Sequence, residues 1–335
     1  MSNRMKVLVT DYVWETLEPE KAILNQIGAD LIVAEDESEA TFVKYAPKVD
    51  AILTTWAKVS TTVIEAATRC QIIGRYGIGL DNIDVETATQ LGIAVTNVPT
   101  YCLEEVSDHT MALLLGLARK IPRLDQVVKN RGWDRNIGPQ VFRLRGQRLG
   151  LIGFGKIAQL IVPKAKGFSL EIVAYTPRLT DEVATQHGVQ RVDLDQLITT
   201  SDFISLNCPL TPETHHLINA DRLQAMKPTA YLINTARGDI IDNDALYTAL
   251  TEGWIAGAGL DVLPDEPPSP DFNLLGLDNA IITPHSAFWS EESIYDLQVT
   301  AAKEVTRVLS AEMPHSLMNP EVLENTALRA TGLKS

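Results

Sequence analysis

The sequence predicts an α/β protein with two doubly wound parallel-sheet domains. Three observations predict it. Short apolar runs alternate with helix-length amphipathic stretches along the whole chain, the mark of βαβ units. The runs fall into two series, of five and of six. The second series opens on a glycine turn that runs directly into a helix.

The first series is MKVLVT, DLIVAE, DAILTT, QIIGRY and IAVTNV, with helical patterns such as EPEKAILNQIG and TTVIEAATR between its members. Five strands suit a flavodoxin-like domain. The second is RLGLIG, EIVAYT, DFISLN, AYLINT, AGAGLDV and NAIITPH, joined by KIAQLIVPKAKGF, DLDQLITT, NADRLQAM and NDALYTALTEG. Six strands with crossover helices match a Rossmann dinucleotide-binding domain. After His285 the chain returns to helix in SEESIYDLQVTAAKEVTRVLSAE, and no strand follows. This helix is expected to cross back and complete the first domain. The substrate domain is then 1–100 with 289–335, and the Rossmann domain is an insertion at 101–288. The tail from Glu321 onward is weakly patterned and is expected to be mobile. The longest apolar run, around TMALLLGLARKI, is too short to span a membrane and reads as a core helix or an oligomer interface.

Composition narrows the function classes. The chain has 335 residues, enough for two cores, and a formal net charge of −14. That charge repels phosphate backbones and anionic lipid, so neither nucleic acid nor membrane is expected as a main partner. Three cysteines, Cys70, Cys102 and Cys208, are too few and too scattered for a disulfide framework or a zinc site. The start of the chain shows no signal-peptide pattern, and the expected location is the cytoplasm. No metal is expected: His215 and His216 are adjacent in one loop with no partner at ligand spacing, and read as a turn.

The most specific segment is Gly153–Phe154–Gly155–Lys156–Ile157–Ala158, between an apolar strand and an amphipathic helix. Gly153 permits the tight turn, Gly155 lets a pyrophosphate approach the backbone, and Ala158 is the small third residue that lets helix and strand pack. The helix N-terminus offers N–H groups to phosphate, and Lys156 adds charge nearby. A nicotinamide dinucleotide is the expected cofactor. NAD-binding domains usually carry an acid at the end of the next strand for the ribose hydroxyls. Here that place holds Thr176, followed by Arg178. A carboxylate would repel a 2′-phosphate, whereas Thr and Arg can bind one, so the expectation leans to NADP or to both cofactors. Arg178 as a solvated surface residue is the plain alternative.

In an open parallel sheet, ligands bind outside the carboxyl ends of the strands. Those ends carry Cys208–Pro209, Thr235–Ala236–Arg237, Asp261 with Glu266 beyond it, and His285. Reduction of a 2-keto acid needs a cation for the carboxylate and carbonyl, a proton donor for the nascent alkoxide, and a group that keeps that donor protonated. Arg237 suits the first role, His285 the second and Glu266 the third. His109, on a predicted helix, reads as packing or capping. Asp81–Asn82 reads as a turn. Trp56 borders the cleft or packs in the core.

These motifs resemble the D-isomer-specific 2-hydroxyacid dehydrogenase family over nearly the full length. The likeness is carried by GRYGIGLDNID, NVPTYCLEEVSDHT, LGLIGFGKIAQ, LINTARGDIIDNDAL, GLDVLPDEPP and TPHSAFWSEES. The resemblance implies that Arg237, Glu266 and His285 form the catalytic set, and that Asp261 contacts the nicotinamide end. It implies that the loop Tyr76–Gly77–Ile78–Gly79 offers backbone N–H groups to the substrate carboxylate. It also implies a homodimer, with an interface role for the TMALLLGLARKI helix. Within the family, LINTARGDIID, TPHSAFWSEES and MPHSLMNP resemble the C-terminal binding protein corepressors and their bacterial relatives. Phe288–Trp289 after the histidine suggests an aromatic wall at the substrate. The leading expectation is an NAD(P)-dependent D-2-hydroxyacid dehydrogenase acting on a small 2-keto or 2-hydroxy acid. Its rivals are a nucleotide-sensing, corepressor-like scaffold and a phosphoglycerate- or glyoxylate-type member of the same family.

Overall fold

The computed structural model describes residues 4–334. The chain divides into two compact units, Met1–Tyr101 with Ser290–Ser335, and Cys102–Trp289.

In the first unit, strands β1 (Lys6–Val9), β2 (Asp30–Val33), β3 (Ala51–Thr54), β4 (Ile72–Arg75) and β5 (Ala94–Thr96) form a wholly parallel sheet. Its order is β2-β1-β3-β4-β5, the flavodoxin-like order. β3 and β4 are buried at every position, because helices cover both faces of a parallel sheet. The helices start where the sequence supplies an oxygen: Ser38, Ser60 and Asp84 each accept an N–H three residues on. The returning helix Glu291–Leu309 packs on β4 and on the helix Glu18–Leu24, and a Ser290–Ser293 capping box fixes its start.

The tail differs from expectation. Leu317 bridges Thr96 in antiparallel fashion, and Asn319 Oδ1 accepts Val95 N–H at 2.8 Å. Val322, Leu328, Ala330 and Leu333 are buried. The tail covers the open edge of β5, which would otherwise expose unpaired backbone groups. Its apolar residues are too sparse to show a period, which is why the sequence reads as mobile.

In the second unit, β6 (Arg148–Ile152), β7 (Glu171–Tyr175), β8 (Gln190–Arg191), β9 (Phe203–Leu206), β10 (Tyr231–Asn234), β11 (Gly257–Leu260) and β12 (Ala280–Ile282) are again all parallel. The order is β12-β11-β10-β9-β6-β7-β8, and it reverses between β6 and β9. The sequence predicts six strands; the seventh, β8, is an exposed two-residue edge strand with no apolar residue to reveal it. Alternate residues of each strand feed two cores. Leu149, Leu151 and Ile233 pack on one face, Ile204, Leu206 and Leu232 on the other. Leu113, Leu114 and Leu117 of the helix Leu103–Ala118 lie in the first of these cores. The run TMALLLGLARKI therefore packs chiefly within its own unit.

Candidate active site

β6 ends in the glycine turn. Gly153 has φ +89°, and a Cβ there would lie 2.5 Å from the Asn207 carbonyl oxygen, so only glycine fits. Gly155 is different. It is the N-cap of the helix Lys156–Gly167, makes no side-chain cap, and a Cβ on it would meet nothing within 4 Å. Its glycine leaves open space directly in front of the first N–H groups of a long helix, which is the cradle a pyrophosphate requires. Ala158 is fully buried against the strand. Phe154 is buried in the core, with its ring edge-on to His187. Ile157 packs on the same core, and Lys156 is exposed.

The neighbouring strand ends complete this edge. Thr176 follows β7 half-buried, and Arg178 is exposed two residues on. Cys208 follows β9, with Pro209 exposed beyond it; burial pushes the Cys208 thiol up to about 11, so it is no thiolate near neutrality. After β10, Thr235 Oγ1 lies 3.0 Å from Thr110 Oγ1. The fully buried Asn234 accepts Ala236 N–H on Oδ1 at 3.0 Å and donates from Nδ2 to the Arg237 carbonyl at 2.8 Å. This amide shapes the turn that presents Arg237. Sequence reasoning passed over Asn234, although a polar residue closing an apolar strand was the signal.

Beyond β12, His285 Nδ1 lies 2.6 Å from Glu266 Oε2, and Glu266 Oε1 accepts Leu263 N–H at 3.0 Å. Burial pushes the Glu266 carboxyl up. The hydrogen bond and charge of His285, the Leu263 N–H and the charge of Arg237 outweigh it and hold the carboxyl below its ordinary value. Arg237, Glu266 and His285 thus form one electrostatic group. Phe288 is buried with its ring edge-on to His285 at 6.3 Å, while Trp289 is exposed.

Asp261 follows β11 and is bonded to the segment after β12. It is 1% exposed, and its carboxylate accepts Thr283 Oγ1–H at 2.5 Å, Ser286 N–H at 2.9 Å and Ala287 N–H at 2.9 Å. Its carbonyl accepts His285 N–H at 2.8 Å. Every one of these bonds holds the turn that carries His285, a residue at φ +49°.

In the first unit, the Tyr76–Gly79 loop follows β4. Tyr76 is buried, donating from Oη to Glu20 at 3.1 Å, and Trp14 packs against its ring. Its N–H goes to the Thr54 carbonyl and that of Gly77 to the Arg75 carbonyl. Two of the four expected donors are thus committed internally, which narrows the loop's offer to Ile78 and Gly79. Gly77, at φ +145°, holds a backbone conformation that side chains rarely adopt, and a Cβ there would displace the Arg75 guanidinium. Asn97 Nδ2 pins the loop through the Ile78 carbonyl at 2.7 Å. Trp56 is partly exposed with the Arg75 guanidinium over its ring at 5.3 Å, and its N–H donates to Asp11.

A cavity lined by Gln147, Asp202, Phe203 and Tyr231 opens at the amino ends of β9 and β10, away from these residues. Asp202 there is tied to Arg148 N–H and Lys227. Catalysis in this fold uses the carboxyl ends, so this cavity is not the candidate site. Among the described residues no group of three or more His, Cys, Asp or Glu is placed to hold a metal, and no helix is long and apolar enough to cross a membrane.

Residues 111–287 match the family model described as D-isomer specific 2-hydroxyacid dehydrogenase, NAD binding domain. A glyoxylate reductase of Korarchaeum cryptofilum is 40% identical over 269 residues, 79% of this chain and 81% of that protein. A D-lactate dehydrogenase of Aquifex aeolicus, solved with NAD and lactic acid, superposes with a TM-score of 0.83 at 29% identity, covering 92% of this chain and 96% of that one. An NADPH-dependent glyoxylate/hydroxypyruvate reductase of Sinorhizobium meliloti, solved with NADP and malonate, gives 0.84 at 28% identity, covering 95% and 98%.

Proposed function

The chain belongs to the D-isomer-specific 2-hydroxyacid dehydrogenase family, an NAD(P)-dependent oxidoreductase family acting on 2-hydroxy acids, and on that premise we propose how its own residues reduce a small 2-keto acid. The observation that carries the proposal is the 2.6 Å bond between His285 Nδ1 and Glu266, within reach of the Arg237 charge.

The chemistry the nicotinamide supplies when bound is a hydride for the keto carbon. Gly153, Gly155 and the N-terminus of the helix Lys156–Gly167 would hold its pyrophosphate. Arg237 binds the substrate carboxylate through its planar guanidinium and polarises the carbonyl. Glu266 fixes the His285 ring through Nδ1 and stabilises the imidazolium, so Nε2 delivers the proton to the alkoxide. One proton leaves His285 for each 2-hydroxy acid formed; in the reverse direction the same nitrogen takes it back. Ile78 and Gly79 offer N–H groups for a carboxylate.

Thr176 and Arg178 support use of NADP alongside NAD, because neither repels a 2′-phosphate. Ile121, Val128, Val141 and Phe142 are exposed apolar residues, and Trp133 is 80% exposed, all on the segment 121–142. They support a homodimer formed through that segment rather than through the buried face of the helix before it. The three cysteines, too few and too scattered in the sequence for a disulfide framework, support a cytoplasmic location.

The test is a panel of 2-keto acids run with NADH and NADPH in parallel. Turnover of at least one acid is expected, and Arg178→Ala is expected to weaken NADPH binding about tenfold while sparing NADH. Tight NADH binding with no turnover on any acid would instead favour the scaffold reading.

A further inference from the structure

We infer that His109 is a positioning residue for His285, acting through Thr283 and Asp261. The inference rests on the proposed role of His285.

The helix Leu103–Ala118 packs against β10, β11 and β12. There His109 Nε2 lies 2.9 Å from Thr283 Oγ1 and 3.5 Å from Asp261 Oδ1. The direction of the bonds follows from counting protons. Thr283 Oγ1 has one proton, and it lies 2.5 Å from Asp261 Oδ1. An ionised carboxylate only accepts, so the threonine proton points to Asp261. Oγ1 then accepts from His109, whose Nε2 must carry a hydrogen. The result is a one-way chain: His109 Nε2–H to Thr283 Oγ1–H to Asp261 Oδ1.

The far end of that chain is the histidine turn. Asp261 Oδ1 also takes Ser286 N–H, Oδ2 takes Ala287 N–H, and the Asp261 and Thr283 carbonyls both accept His285 N–H, at 2.8 and 3.0 Å. His285 sits at φ +49°, a left-handed conformation that a non-glycine residue keeps only when its surroundings enforce it. A buried carboxylate keeps its charge only with a full set of donors. Without His109 the Thr283 hydroxyl is free to rotate, and Asp261 loses an oriented donor. The clamp on the His285 turn then loosens.

The test compares His109→Leu, which removes the donor, with His109→Gln, whose Nε2–H has similar reach. His109→Leu is expected to lower kcat about tenfold while the Kd for NADH stays within about twofold. His109→Gln is expected to restore kcat to within about threefold of the parent. In a Thr283→Val background, His109→Leu is expected to add nothing, because the link is already cut. A readout independent of turnover is the His285 ring signal in proton–nitrogen NMR of the ligand-free protein. It is expected to move in His109→Leu and to return in His109→Gln. An unmoved signal, or a Gln variant as impaired as the Leu variant, overturns the inference. Absence of turnover on every keto acid would fail the functional reading alone, and the NMR comparison would still decide this one.

Discussion

Glu266 Oε2 and His285 Nδ1 lie 2.6 Å apart, and the charge of His285 favours the ionised carboxylate of Glu266. The Glu266 carboxyl is held below its ordinary 4.5: burial opposes its charge, and His285, Leu263 N–H and Arg237 overcome it. For a carboxyl depressed by folding, the stabilisation is present above the unfolded value and is lost as pH falls through the folded one. Glu266→Gln is therefore expected to lower Tm at neutral pH, with the difference from the parent shrinking as pH drops below about 4.5. Thermal unfolding of both proteins across that range checks it. The same variant is also expected to lose turnover, because the His285 ring is no longer fixed through Nδ1 by a carboxylate.

The two glycines of the cofactor turn are expected to behave differently. Gly153→Ala places a Cβ 2.5 Å from the Asn207 carbonyl oxygen at φ +89°, so it is expected to destabilise the fold by roughly 1–3 kcal/mol. Gly155→Ala meets open space and is expected to fold with an unchanged Tm, yet to bind NADH at least about tenfold more weakly, since the methyl enters the pyrophosphate position. Urea unfolding and NADH fluorescence titration of the two variants separate the roles.

Much of this was legible in the sequence, and the exceptions have physical reasons. The strands of both sheets show because a parallel strand covered on both faces is a continuous apolar run, as in AILT and YLIN. The glycine turn shows because its spacing serves a phosphate. β8 does not show, since Gln190 and Arg191 are exposed edge residues. The tail after Glu321 does not show because its anchors are single side chains, such as Asn325 on the Thr89 and Gln90 carbonyls, rather than a periodic face. Asp261 was visible as a strand-end acid, but its partners Thr283, Ser286 and Ala287 come from the next strand end, and only the folded chain brings them to it.

That arrangement makes Asp261→Asn informative. The carboxylate accepts on both oxygens, and an amide would turn an NH₂ group toward Ser286 or Ala287 N–H. A loss of roughly 1–3 kcal/mol in stability is expected, with a larger fall in kcat than in NADH affinity. A variant with parental stability would show that the turn is held by other contacts.

Glu20, in the first unit, titrates in the opposite sense to Glu266. It is buried, and burial raises its carboxyl above 4.5 despite help from its own backbone, Gln298, Tyr76 and Trp14. A carboxyl raised by folding favours the fold below its unfolded value, and that contribution is lost as pH rises through the folded one. Glu20→Gln removes the cost of a buried charge while keeping groups to meet Tyr76 and Gln298. Its Tm relative to the parent is expected to be higher at neutral pH than at about pH 4.5, and a pH-independent difference would contradict that.

The most direct test of the account is NAD(P)H oxidation driven by a 2-keto acid, measured for the parent protein beside His285→Ala. Turnover by the parent is expected, with a kcat lower by about 10²–10⁴ in the variant and unchanged NADH binding in both. Full turnover by His285→Ala, with the same acid and cofactor, would contradict it.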